Sequence, residues 1–234
     1  MSPDPRRDLR KLERDFHSAA ERVKGEAHAA AGRVRDEAHA AGERVRTEAP
    51  RKAIHLAMIV IPVGILYFPL TVSRRILMGA ALVLLIADLA KIHQPRVRTY
   101  FLTFVGHLIR RHEREGITGS TYMLVSALLC SYLFQPGTAA AAMVYLIVGD
   151  TLAAMVGKAW GRTPLFGKTL EGSLAGLVTS FGAAWLLVPG ISPWHLLAAA
   201  AAAAIVEVAP IPVDDNFRIP LLSGLVLEWL RGSI

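Results

Sequence analysis

Cysteine is nearly absent. The 234-residue chain has one, Cys130, inside an apolar run, so no intramolecular disulfide can form and a cysteine-based zinc site is excluded. The first fifty residues are highly charged and lack an apolar stretch. No secretory signal is read there, and the N-terminus is expected to stay in the cytoplasm. Beyond that segment carboxylates are few. What the chain has instead is a 53% hydrophobic composition with long runs almost free of charge, which excludes an ordinary soluble domain and indicates a polytopic membrane protein. The formal net charge of +7 resides where a membrane protein's short loops carry basic residues. The positive-inside rule and anionic headgroups account for it, and nucleic acid is not expected as a partner.

The organisation expected is an all-α, polytopic membrane helical bundle of about seven transmembrane helices (residues 51–234), preceded by a charged extramembrane helix (residues 1–50). That first helix is read from a repeat, "VKGEAHAAAGR", "VRDEAHAAGER", "VRTEA", with Val23, Val34 and Val45 in register. Eleven residues make about three helical turns, so a weak Val/Ala stripe faces one way. His28 and His39 recur with the repeat and are read as solvated positions. The apolar segments run approximately Ala53–Leu70, Ile76–Ala90, Ser120–Phe134, Thr138–Val156, Ser173–Val188, Trp194–Ala209 and Ile219–Leu230. With a cytoplasmic N-terminus, the loops rich in Lys and Arg fall inside. Glu113, Asp150, Glu171, Glu207, Asp214 and Asp215 then converge on the cytoplasmic side, where charge near hydrocarbon is costly and marks function.

Asp150, in "IVGDTLAAMVGKAWG", is set within an apolar segment and needs a partner, for which Lys158, Lys168 or a cation are available. Gly149, Ala153, Gly157 and Gly161 recur every four residues, the spacing of a small-residue surface that lets membrane helices touch. The stretch "GRTPLFGKTLEGS", Gly161 to Ser173, has the flavour of a phosphate loop, yet Gly161 and Gly167 are one residue too far apart ahead of Lys168 and Thr169. Gly167 and Gly172 still permit backbone amides to face an anion, and Ser173 opens a helix whose N-terminus favours phosphate. Asp214, Asp215 and Asn216 read either as an Asx-type turn starting a helix or as oxygen ligands beside a nucleotide.

Four stretches, "RKAIH", "RHEREGITGSTY", "GDTLAAMVGKAWGRTPLFGKTLEGSLAG" and "DDNFRIPLLSG", together resemble the CTP-dependent lipid kinases, the family that includes dolichol kinase, phytol kinase and the yeast-type diacylglycerol kinase. The likeness runs from Arg51 to the C-terminus and omits the repeat. It implies Mg²⁺, a cytosolic nucleotide that is usually CTP, and phosphorylation of a lipid alcohol held in the bilayer. The central block is also similar to phosphatidate cytidylyltransferases, but "VDDNFRIPLL" stands where those enzymes carry a Gly-His-Gly-Gly-like signature. The expected site has Asp150, Asp214 and Asp215 on the metal side. Lys158, Arg162 and Lys168 neutralise the triphosphate, with Thr169, Gly172, Ser173 and Asn216 around it. Glu171 aligns Lys168 or serves as general base. The rival readings are cytidylyl transfer to phosphatidate and a transporter or structural membrane protein whose carboxylates line an ion path.

Overall fold

The computed structural model describes residues 48–106, 108–110 and 112–232, with a few isolated positions ahead of them. The chain divides into two units, Met1–Arg44 and Val45–Ile234. The helix read for the eleven-residue repeat lies outside the described residues, save those isolated positions.

The second unit is all-α apart from one tiny hairpin. Its helices are α1 (Glu48–Tyr67), α2 (Leu70–His93), α3 (Pro95–Val105), α4 (Gly119–Leu133), α5 (Pro136–Trp160), α6 (Leu170–Leu187), α7 (Pro193–Val208) and α8 (Asp215–Leu230). The apolar segments read from the sequence fall on α1, α2 and α4 to α8. Among the described residues, four helices (α1, α2, α5 and α6) are long and apolar enough to cross a membrane, while α4 and α7 are shorter apolar helices. This is the make-up of an integral membrane protein. Helix α3 and a 3₁₀ turn at His112–Arg114 lie in a stretch read as loop.

The helix starts follow local chemistry. Pro95, Pro136 and Pro193 open α3, α5 and α7, where a missing N–H costs nothing. Thr169 caps α6 by accepting from the Gly172 N–H at 3.2 Å, and Asp214 caps α8 by accepting from the Asn216 N–H at 2.9 Å. Inside α8, Pro220 has no N–H for the Asn216 carbonyl. The Ser126 hydroxyl of α4 donates to that carbonyl at 2.8 Å instead, which ties α4 to α8 beside the site.

Helix α5 is the axis of the unit: 72% of its apolar stretch is buried, against 22% for α1 and α2 and 28% for α6, whose outer faces are exposed. Gly149, Ala153 and Gly157 of α5 meet Gly172, Gly176 and Ser180 of α6. A Cβ on Gly172 would stand 2.6 Å from the Ala153 carbonyl, and one on Gly176 2.9 Å from the Gly149 carbonyl. The small-residue surface therefore sets how closely these helices approach. Between them, β1 (Pro164–Leu165) and β2 (Lys168–Thr169) pair antiparallel through Phe166-Gly167, whose φ values of 47° and 83° make a tight hairpin turn. The stretch is thus a hairpin feeding a helix N-terminus.

Candidate active site

The site starts from an irregularity in α5. Residues Tyr145–Asp150 form a π-helical turn, a feature that loosens the backbone ladder and recurs at functional positions. The carbonyls along it find side-chain partners: the Thr151 hydroxyl donates to Ile147 at 2.6 Å, and Lys52 Nζ donates to the Asp150 carbonyl at 3.0 Å. The same ammonium pairs with Asp150 Oδ2 at 2.5 Å, with Lys52 3% and Asp150 6% exposed. The partner that the burial of Asp150 demands is therefore Lys52, from α1. One turn further along α1, His55 stands with Nε2 3.7 Å from Asp150 Oδ2, and among the described residues that buried nitrogen has no hydrogen-bond partner.

A second cluster lies at the hairpin. Lys168 Nζ reaches Glu207 Oε1 of α7 at 2.9 Å and Asp215 Oδ2 of α8 at 3.1 Å. Burial opposes the charge on Lys168, but Glu207 and Asp215 outweigh it and hold the ammonium above its ordinary range. Arg218 Nε donates to the other oxygen of Asp215 at 3.0 Å. The neighbouring Asp214 faces Arg110 at 3.9 Å and accepts from Asn216 Nδ2 at 2.7 Å.

Two cavities meet at these groups. A polar one of about 230 Å³ is lined by Asp150, Glu207 and Asp215 and by Arg51, Lys52, Arg110, Lys158 and Lys168, with Thr169, Gly172 and Ser173 at the start of α6. Five basic groups against three carboxylates leave a surplus of two positive charges. An apolar one of about 350 Å³ is walled by residues such as Met58, Leu84, Phe101, Val105 and Met123. Arg51, Lys52, Arg110 and Asp150 line both. The arrangement can hold an anion on one side of the Lys52–Asp150 pair and an apolar molecule on the other.

Of the residues expected from the sequence, Asp150, Lys158, Lys168, Thr169, Gly172, Ser173 and Asp215 line the polar cavity. Asn216 lines the apolar one. Lys158 also pairs with Glu48 at 2.5 Å, at the rim. Glu171 is turned to the hairpin: it accepts from the Arg162 N–H at 3.1 Å and from the Thr163 N–H and hydroxyl, while Lys168 donates to Glu207 and Asp215 instead. Arg162 is exposed. Among the described residues no three His, Cys, Asp or Glu side chains are grouped to hold a metal ion; Asp150, Asp214 and Asp215 each face a different cation. Arg51, Lys52, His55, Arg110 and Arg218 carried no assigned role in the sequence reading. The signal for three of them was "RKAIH", where basic residues three apart enter an apolar span.

No family model matches the chain. Over 133 residues it is 27% identical to an uncharacterized protein of Rickettsia prowazekii, covering 56% of this chain and 65% of that one. It is 25% identical over 179 residues to CTP-dependent diacylglycerol kinase 1 of Saccharomyces cerevisiae (65% and 62%) and 27% identical over 173 residues to the protein of that name from Eremothecium gossypii (62% and 55%). No solved structure matches it. The chain spans less than two thirds of the length of each of these relatives, and its distant likeness is to lipid kinases that use CTP.

Proposed function

We propose that the chain is a membrane lipid kinase that transfers the γ-phosphoryl group of CTP to the hydroxyl of a lipid alcohol at the cytoplasmic face. Diacylglycerol is the first candidate substrate because two relatives are named for it; a polyprenol or phytol-like alcohol is the alternative within the same chemistry. The observation that carries the reading is the meeting of a cationic cavity and an apolar cavity at Lys52 and Asp150. Phosphoryl transfer needs positioning and charge neutralisation more than covalent chemistry, and a surplus of two positive charges complements a triphosphate carried with one divalent cation.

In this reading Lys168 and Lys52 hold the phosphates, with the N-terminal amides of α6 adding their dipole. The lipid hydroxyl reaches the junction from the apolar side. Its oxygen attacks the γ-phosphorus, the bond to the β-phosphate oxygen breaks, CDP leaves, and the hydroxyl proton is released to water. Asp150, fixed by Lys52, orients the attacking group. The polar cavity suits Mg²⁺ that arrives with the nucleotide: its carboxylates stand singly, and Mg²⁺ takes one or two carboxylates besides phosphate oxygens and water. Asp150 and Asp215 would hold it, with Asp214 acting through water, and when bound it neutralises phosphate charge. Glu171 contributes by closing the hairpin. The cytoplasmic orientation, with the seven apolar segments as spans, follows the loop charges.

CTP labelled at the γ position, given to the purified protein with diacylglycerol, polyprenol or phytol, tests the reaction. Label on the lipid is the expected result. Labelled pyrophosphate would instead mean cytidylyl transfer, and no turnover with any lipid would leave the transporter reading. For orientation, cysteines at Arg114 and Thr163 in a Cys130→Ala background should react with an impermeant reagent only from the cytoplasmic side; labelling from the opposite face would overturn the placement of the site.

A further inference from the structure

Helix α3 takes no part in the polar cavity, yet two of its residues wall the apolar one. It begins one residue after α2 ends, so its start is held at the end of a candidate membrane span. Its 11 residues make it about 16 Å long, too short to cross a hydrocarbon core of about 30 Å. Arg98 sets its angle to α2 by donating to the Lys91 and Ile92 carbonyls at 3.3 and 3.1 Å, two of the groups that the end of α2 leaves open. With that angle, Phe101 and Val105 face the cavity. The outer face presents Tyr100 and Phe104, 70% and 73% exposed. The two threonines on that face return their hydroxyls to their own helix, Thr99 to the Pro95 carbonyl at 3.0 Å and Thr103 to the Thr99 carbonyl at 2.9 Å, so they present methyl groups outward. Arg96 stands exposed at one end. A short helix with an outer face of Tyr, Phe and threonine methyls and a basic end, attached directly to a span, has the chemistry of a helix lying in the headgroup region.

The geometry points to α3 as an interfacial helix: Tyr100 and Phe104 rest at the boundary of headgroups and acyl chains, and Phe101 and Val105 form the wall past which a bilayer lipid enters the apolar cavity. The second half rests on the lipid-kinase reading; the first does not. The full chain with Cys130→Ala, carrying an environment-sensitive fluorophore at Phe104→Cys or at the exposed control Arg114→Cys, is reconstituted in phosphatidylcholine–phosphatidylglycerol vesicles containing a nitroxide lipid. Quenching at 104 should exceed that at 114 by about threefold or more; equal quenching, with both sites open to aqueous iodide, overturns the bilayer contact. Val105→Trp then tests the route. It should raise KM for dioleoylglycerol in vesicles by about fivefold relative to that for the short-chain dioctanoylglycerol, with kcat for the short chain reporting an intact site. An unchanged ratio overturns the entry route. A parent protein that phosphorylates no lipid removes the route together with the kinase reading, while the quenching result still decides the bilayer contact.

Discussion

Among the described residues there are two buried lysine–aspartate pairs, both in helices apolar enough to cross a membrane, and their surroundings differ. Asp88 and Lys91 of α2 are 1% and 0% exposed, and their hydrogen bonding is filled. Asp88 accepts from Lys91 at 2.8 Å, from the Thr118 N–H at 2.8 Å, from the Thr118 hydroxyl at 3.0 Å and from the Thr121 hydroxyl at 2.7 Å. Lys91 also donates to the Glu113 carbonyl at 2.9 Å and lies over the Phe101 ring. Apart from the bond between the two partners, these contacts tie α2 to α4 and to the segment entering it. The Lys52–Asp150 pair has the same chemistry, but it sits at a π turn, has beside it a histidine nitrogen without a hydrogen-bond partner among the described residues, and opens on both cavities, whereas Asp88 borders the apolar one and has its oxygens already bonded. A saturated pair holds helices together. A pair with spare capacity at a cavity wall is placed to meet a ligand, and it is the degree of saturation, more than burial or charge, that separates the two.

The sharpest way to break this comparison is to cut one member of each pair. Asp150→Asn should lower kcat on the order of a thousandfold, the upper range for one electrostatic group, with the protein still folded in detergent. Lys91→Met should act on stability, by about 3–5 kcal/mol, because it removes one partner of a buried pair; its folded fraction should turn over at a rate within about twofold of the parent. Lipid-kinase rates and thermal unfolding on the same samples give both numbers. The reverse pattern, stability lost at Asp150 and turnover at Lys91, would erase the distinction.

Within the polar cavity a similar contrast separates Lys168 from Lys158. Lys168 is held between Glu207 and Asp215 at the hairpin, whereas Lys158 is 39% exposed in its side chain and spends its charge on Glu48. Lys168→Met should cost about a hundredfold in kcat. Lys158→Met should cost only a few-fold, near the worth of an exposed pair. Comparable losses would mean that the Glu48 contact opens when nucleotide binds.

How far the sequence could foresee this follows from the range of each interaction. The apolar helices and the α5–α6 contact were legible because both rest on local spacing: apolar runs for the first, and Gly149, Ala153 and Gly157 at four-residue steps for the second; α3, which has no such run, was read as loop. The need of Asp150 for a cation was also legible, from the cost of its burial. Which cation was not, since Lys52 lies 98 residues earlier and only the fold brings it there. Asp214 and Asp215 looked alike as adjacent carboxylates, yet one caps α8 and the other turns to Lys168, because neighbouring positions at a helix start point in different directions. The hairpin was hidden for another reason. Its turn places Phe166 at positive φ, which L residues with side chains rarely adopt, so nothing in "PLFGKT" announces it.

The smallest effect decides what that hairpin is. In a true phosphate loop the hydroxyl after the lysine binds Mg²⁺ directly, and Thr169→Ala would abolish turnover. Here the Thr169 hydroxyl already caps α6 through the Gly172 N–H, and its side chain packs against the glycines of α5, with a Cβ on Gly157 reaching within 2.8 Å of Oγ1. Its work is to start the helix and seat it on α5. Thr169→Ala should therefore cost about 1 kcal/mol of stability, the usual worth of a cap, and leave kcat within about threefold across a Mg²⁺ titration, since an alanine also fits the glycine surface. Thr169→Ser, which keeps the cap and loses only the methyl contact, should recover most of that stability. If Thr169→Ala instead removed turnover and excess Mg²⁺ restored it, the hydroxyl would be a metal ligand, and the assignment of the metal to Asp150 and Asp215 would fall.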